Sequence, residues 1–192
     1  MTSTRPQRAD AQRNRQKLLD VALTAFAEDA EVPLEAIAAR AGVGVGTLYR
    51  NFPHRNALVE AAYRHEVESL CDAAPALLLL HPAAADALRE WMARFVDYAA
   101  TKRGMLSALR SAVGSDSPLF GETRARIIAA LAALLEAGIT DGSVRANADP
   151  EDVMRAMGSV WGVAAGPEWR EQVHRLLDLL VDGLRFGARH PS

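Results

Sequence analysis

A chain of 192 residues is long enough for one ordinary domain, or for a small module joined to a larger one. With 49% hydrophobic and 24% charged residues it is not a disordered chain, and a net charge of −2 excludes a polyanion binder that works through its whole surface. The single cysteine, Cys71, can form no internal disulfide and fits a reducing cytoplasm.

The opening stretch MTSTRPQRADAQRNRQK is polar and basic, with no apolar core of a secretory signal. No apolar run approaches the roughly 20 residues a bilayer span needs. The expectation is therefore a cytoplasmic protein without a membrane partner. Charge is distributed unevenly: residues 1–55 carry eight Lys+Arg against six Asp+Glu, and residues 56–192 carry fourteen against eighteen. Arg5, Arg8, Arg13, Arg15 and Lys17 face one acid, Asp10, at the N-terminus. Such a cluster is an electrostatic footprint only if a second DNA-reading element lies beside it. Arg5 and Arg8 then read either as a flexible arm in a minor groove or, the commoner case, as a disordered tail.

Helical periodicity runs through nearly every segment, and no alternating β-branched run marks a strand. A first helix is expected over about 10–28, with Leu19, Ala22, Leu23 and Phe26 on one face. A second opens near Pro33, turns Leu34, Ile37, Ala38 and Ala41 inward, and stops at Gly42. A short third covers about 45–50, ended by Pro53. A fourth covers about 54–73, with Pro75 taken as a break. Further helices are expected at about 84–101, 104–113, 119–138, 150–165 and 168–187, making about nine in all. Asp149–Pro150–Glu151 reads as a helix start, an N-cap acid followed by Pro at the first position.

The informative string is residues 33–52, PLEAIAARAGVGVGTLYRNF. Two short helices flank a tight turn at Gly42–Val43–Gly44, and Val43 is placed to tuck between them. This is the pattern of a helix-turn-helix, whose second helix enters a major groove. Val45, Gly46 and Thr47 offer a slim face to bases. Tyr49, Arg50, His54 and Arg55 are candidate phosphate anchors. The three glycines do not form a nucleotide loop. A dinucleotide fingerprint needs a preceding strand and a third glycine one position later, and no lysine lies between Lys17 and Lys102 to complete a P-loop. Because Gly44 and Val45 offer few side-chain hydrogen bonds, base reading is expected to lean on apolar contact, backbone groups and DNA shape.

Residues 10–60 resemble the N-terminal domain of the TetR family of bacterial transcriptional regulators. The likeness is carried by Ala22–Phe26, Ile37-Ala38, Ala41-Gly42-Val43, Gly46-Thr47-Leu48-Tyr49, Phe52, Arg55 and Leu58. It implies an all-α homodimer: a DNA-binding domain over 1–55, a connecting helix, and a ligand-binding and dimerisation domain over 56–192. It also implies that Tyr49 and Arg55 hold phosphates and that Thr47 sits at a phosphate or base edge. The family often carries Ser or Thr where Gly44 stands, and Lys where Arg55 stands.

Farther along, Val153, Met157, Val160, Trp161 and Ala164 form one apolar stripe, and Val173, Leu176, Leu177, Leu180, Val181 and Leu184 form another. In a monomer these are core. The resemblance implies instead a four-helix bundle across a two-fold axis, with Met157, Val160, Trp161, Val173, Leu176, Leu177, Leu180 and Leu184 at the dimer interface. An effector pocket is expected to be lined by Trp91, Phe95, Tyr98, Met105, Leu109, Ile127 and Trp161, joined by Met92, Phe120 and Leu131. Few charges lie near them, so the effector would be apolar or aromatic.

The scattered histidines His54, His65, His81, His174 and His190 show no metal-ligand spacing, and no nucleophile stands beside a base. No cofactor, metal or enzyme activity is expected. The leading reading is a DNA-binding repressor released by a small effector. The alternative is a helical small-molecule-binding or interaction protein without specific DNA recognition.

Overall fold

The computed structural model describes the backbone of residues 5–187 and the side chains of residues 10–187. Nine α-helices and one 3₁₀ turn make up the described residues, without strands. They are α1 (Arg5–Glu28), α2 (Leu34–Ala41), α3 (Val45–Asn51), α4 (Arg55–Leu80), α5 (Ala84–Gly104), α6 (Leu106–Val113), α7 (Pro118–Thr140), α8 (Pro150–Met157), the 3₁₀ turn Gly158–Gly162, and α9 (Trp169–Arg185). The chain forms two compact units. The first runs through Glu66 and takes back Thr101–Leu119. The second comprises Val67–Ala100 and the chain from Phe120 onward. The N-terminal unit therefore holds more than residues 1–55: it includes the first part of α4 and all of α6.

In the first unit α1 packs on α2 and α3. Phe26, Ile37, Leu48 and Leu58 are fully buried, and Phe52 nearly so. Each comes from an apolar position of its helical stripe, so periodicity alone places this core. The turn after α2 is closed by backbone geometry. Gly42 is left-handed at φ 65°, with its N–H donating to Ala39 O at 3.1 Å and the Val43 N–H to Ala38 O at 2.9 Å. This is a Schellman cap, and the burial of Val43 and Ala38 supplies its apolar contact. Pro33 stands at the N-cap of α2 with extended backbone, one residue before the first helical position expected for it.

A second tight spot ties the end of α5 to α1. A Cβ added to Gly104 would lie 2.7 Å from Ala27 Cβ and 3.1 Å from Ala27 Cα. Backbone cannot yield as a flexible side chain can. We expect Gly104→Ala to destabilise the protein by about 1–3 kcal/mol in urea titrations, although alanine is the better helix former. An unchanged urea midpoint would show that the approach is not constraining.

The second unit corrects two sequence expectations. Pro75 does not end α4, which continues to Leu80. Proline removes one backbone donor, but Ala73, Ala74 and Leu77 are buried around it, and packing outweighs the local penalty. One turn earlier, the Leu70 carbonyl accepts a hydrogen bond from Trp91 Nε1 at 2.8 Å, linking α5 to α4. Second, the helix expected over 150–165 stops at Met157 and tightens into the 3₁₀ turn. Glycines at 158 and 162 weaken helix there, and the change to three residues per turn rotates the stripe. Met157 and Val160 stay buried while Trp161 is 41% exposed. The start of α8 is as expected: the Asp149 carboxylate accepts from the N–H groups of Glu151 and Asp152, and Pro150 follows it.

Helix α9 runs antiparallel to α5, with ion pairs Asp86–Arg185, Arg89 to Asp178 and Asp182, and Asp97–Arg170 in register along the pair. All are at least a third exposed, so they set register more than stability. Cys71 is half-buried, and burial pushes its thiol up, away from thiolate reactivity. No helix among the described residues is long and apolar enough to cross a membrane. No group of three or more His, Cys, Asp or Glu among them could hold a metal ion; His190 lies outside them.

Candidate nucleic-acid interface

Around buried Leu48, α3 leaves Val45, Gly46, Tyr49 and Arg50 exposed and Thr47 half-buried. Gly44 forms the N-cap with extended backbone and no side-chain hydrogen bond, as its lack of a hydroxyl requires. Helix α3 is therefore held by its packing and by side-chain bonds farther along. Arg50 Nη2 donates to Thr47 Oγ1 at 2.8 Å, and Asn51 Nδ2 donates to the Thr47 carbonyl at 2.8 Å. Because the Thr47 hydroxyl oxygen accepts from Arg50, its own proton remains to be donated outward.

The Tyr49 hydroxyl donates to Glu35 Oε1 across the two helices at 2.9 Å. Glu35 lies in the first turn of α2. Its own backbone N–H and then the Tyr49 hydroxyl hold the carboxylate below its ordinary range, while Glu35 pushes the Tyr49 hydroxyl up. The bond is intact above the ordinary glutamate pKa of about 4.3 and is lost as pH falls through the lowered value of Glu35. Glu35 was not among the residues expected from sequence. It lies fourteen positions from Tyr49, and only the crossing of α2 and α3 brings the two together, so no local signal marks it.

Arg55 is engaged within the protein. Its guanidinium donates from Nη1 to the Val32 carbonyl at 2.7 Å and from Nη2 to the Ala30 carbonyl, and it lies 5.0 Å over the Phe26 ring. The side chain thus clips the α1–α2 loop to the start of α4. His54 caps α4: its Nδ1 accepts from the Ala57 N–H at 3.1 Å, which leaves Nε2 to carry the outward proton. Of the basic N-terminal cluster, Arg13 pairs with Asp10 and Arg15 lies 5.2 Å over the Phe52 ring. The backbone at Arg5 and Arg8 belongs to α1, and their side chains lie outside the described residues.

The expected pocket residues fall into two cores. Trp91, Phe95, Tyr98 and Ile127 are buried in the second unit, where the Trp91–Phe95 and Phe95–Tyr98 rings stand 6.3 and 5.5 Å apart. Met105 and Leu109 are buried in the first, and Trp161 is exposed. Two surface grooves on the second unit, of about 550 and 580 Å³, are lined by other residues. One has Leu78, His81, Glu136 and Asp141 in its wall, the other Arg145, Asn147 and Phe186.

Comparison with known proteins decides what this arrangement belongs to. Residues 18–62 match the model of bacterial regulatory proteins of the tetR family, and residues 83–186 match that of the SbtR-like transcriptional regulator C-terminal domain. The chain belongs to the TetR family of transcriptional regulators. The TetR regulator SCO0520 of Streptomyces coelicolor is 47% identical, with 89% of this chain and 98% of that one covered at a TM-score of 0.82. A TetR regulator of Mycobacterium vanbaalenii is 36% identical, with 94% and 99% covered at 0.75. The transcriptional repressor LfrR of Mycolicibacterium smegmatis is 39% identical over 74 residues, which span 38% of this chain and only 39% of LfrR. The structure of LfrR in complex with proflavine shares the fold, at 23% identity and a TM-score of 0.62. The family is one of regulators, not enzymes, and the α2–turn–α3 unit of this TetR protein is its helix-turn-helix.

The apolar stripes of the regulator divide between core and surface. Met157, Val160, Val173, Leu177 and Leu184 are buried within the single chain. Leu176 is 37% exposed, Leu180 is half-buried, and Leu179, absent from the expected set, is 69% exposed. Helix α9 thus has an inner apolar face and an outer one.

Proposed function

We propose that the protein is a homodimeric repressor that binds an operator through α3 and leaves it when an apolar or aromatic effector binds. The observation that carries the DNA reading is that Val45, Tyr49 and Arg50 are exposed, with Thr47 half-buried beside them, on a helix held by buried Leu48 and the Schellman turn. Phosphate contact falls to Tyr49, Arg50 and His54, with Thr47 at a base or phosphate edge. Arg55 positions the loop behind them. Residues 1–55 supply the DNA contacts and residues 56–192 the ligand and dimer contacts.

One short helix reads few base pairs, so specific binding calls for two copies. The outer face of α9, with Leu176, Leu179 and Leu180, supports dimerisation there, since an apolar row of this kind is costly to leave in water. The buried aromatic row Trp91–Phe95–Tyr98 supports an apolar or aromatic effector. The deciding test is an anisotropy titration against the DNA upstream of the protein's own gene. Affinity should fall steeply between about 50 and 200 mM salt if several phosphates are held. Absence of binding at low salt would favour a ligand-binding protein without DNA recognition.

Glu35 sits beside the phosphate-facing Tyr49 and engages its hydroxyl proton. We expect Glu35→Gln to raise affinity for duplex DNA roughly two- to fivefold at low salt, through loss of one negative charge near the backbone. Tyr49→Phe should lower it. Gel-shift titrations of both variants check this, and a loss of affinity in Glu35→Gln would show that the carboxylate instead orients the tyrosine for binding.

A further inference from the structure

Val45 and Tyr49 are the exposed large apolar side chains among the described residues of the first unit, and both stand on α3. Tyr49 has a polar end engaged with Glu35, whereas Val45 presents only an isopropyl group, 42% exposed at the first position of the helix. The glycines on either side have no explanation inside the protein. Gly44 has φ −62°, a value any residue adopts, and neither Gly44 nor Gly46 has a left-handed backbone. A Cβ added at either would meet nothing within 4 Å. Gly42, two residues earlier, needs its glycine for a left-handed cap; these two do not. Gly46 even weakens the helix that carries it. Gly121, Gly158, Gly162, Gly166 and Gly183 likewise have open space at Cβ and no left-handed backbone, but Gly44 and Gly46 immediately bracket one exposed apolar side chain on α3, the second helix of the helix-turn-helix.

We infer that Gly44 and Gly46 clear the flanks of Val45 so that its isopropyl group reaches the floor of the major groove and reads the 5-methyl group of thymine. This rests on the DNA-binding reading above and adds the base it recognises. Thymine carries the apolar group on the major-groove edge, and the other bases present donors and acceptors that valine cannot pair. The β-branched side chain holds one dominant rotamer in a helix, so it is ordered before DNA arrives and loses little freedom on binding. Thr47, one residue beyond Gly46, is half-buried and its hydroxyl accepts from Arg50, whereas Val45 is exposed and makes no polar contact, so the apolar floor contact falls to Val45.

The test begins by selecting duplexes from a random library with the full-length protein. Each thymine of the selected site is then replaced by deoxyuridine, which removes only the 5-methyl group, and affinities are read by anisotropy at one salt concentration. Burial of a methyl corresponds to roughly fourfold in affinity, hence about fifteenfold when both half-sites are changed. We expect that loss at one or two thymines per half-site, and equal binding of thymine and deoxyuridine duplexes by Val45→Ala at the same positions. Gly46→Ala should raise the thermal midpoint of the free protein and weaken binding to every duplex, a pairing that a general folding defect does not produce. Equal affinity of the wild-type protein for all deoxyuridine duplexes, or a Val45→Ala variant that keeps the wild-type sensitivity, overturns the inference while leaving DNA binding intact. Failure to enrich any duplex overturns both.

Discussion

Arg55→Ala is expected to lower the stability of the protein by about 2–3 kcal/mol. The guanidinium donates to the Val32 and Ala30 carbonyls and lies over the Phe26 ring. Charge-assisted bonds of this kind contribute about 1.5–3 kcal/mol each when buried, and the cation–π contact about 0.5–1 kcal/mol. Partial exposure lets water replace some of this, which sets the lower total. For a chain of this length the loss corresponds to a fall of roughly 5–10 °C in the thermal midpoint. Arg55→Lys should recover less than half, since an ammonium cannot hold two carbonyls in a planar fork and stack on the ring at once. The same variants distinguish a phosphate anchor from a loop clip. A phosphate anchor would reduce the slope of log affinity against log salt by about one when removed. A clip leaves the slope of Arg55→Ala unchanged while the protein is folded. Unaltered thermal midpoints in both variants would refute the clip.

The second large effect concerns α9. Leu176→Glu combined with Leu179→Glu places two carboxylates on its outer apolar face without touching Val173, Leu177, Val181 or Leu184, which form the inner face. The folded protomer should keep its helical content by circular dichroism and become a monomer by light scattering at micromolar concentration. Operator affinity should fall by about 10²–10⁴-fold, because the second half-site contact is no longer held at high effective concentration. Retention of the dimer in this double variant would place the interface elsewhere.

The two variants draw on different kinds of information. That α9 is amphipathic could be read from its spacing, since Val173, Leu176, Leu177, Leu180, Val181 and Leu184 recur at three and four residues. Which of those leucines face inward could not. Periodicity gives a stripe, and a stripe wide enough for two partners reads the same whether one or both lie in the same chain. Arg55 shows the same limit for a polar side chain: a basic residue at the edge of a helix-turn-helix is compatible with a phosphate or with a pair of loop carbonyls. The decision rests on where Ala30 and Val32 come to lie, twenty-five and twenty-three residues away. Pro75 and the break after Met157 went against sequence expectation because local propensity is weak beside tertiary packing at one site and was overrated as helix at the other.

By itself the sequence determined the all-α class, the helix-turn-helix and its turn. Helical periods, a left-handed glycine at 42 and an acid–proline start at 149–150 are local features, legible wherever the chain goes. It also carried the family, since a short string of core, turn and surface residues is constrained all at once. The tertiary structure alone decided how individual side chains are used. It joined Tyr49 to Glu35, turned Arg55 inward, divided the leucines of α9 between two faces, and left Gly44 and Gly46 without an internal reason. Each of these depends on which distant residue the fold brings within a few ångströms, and spacing along a chain does not contain that distance.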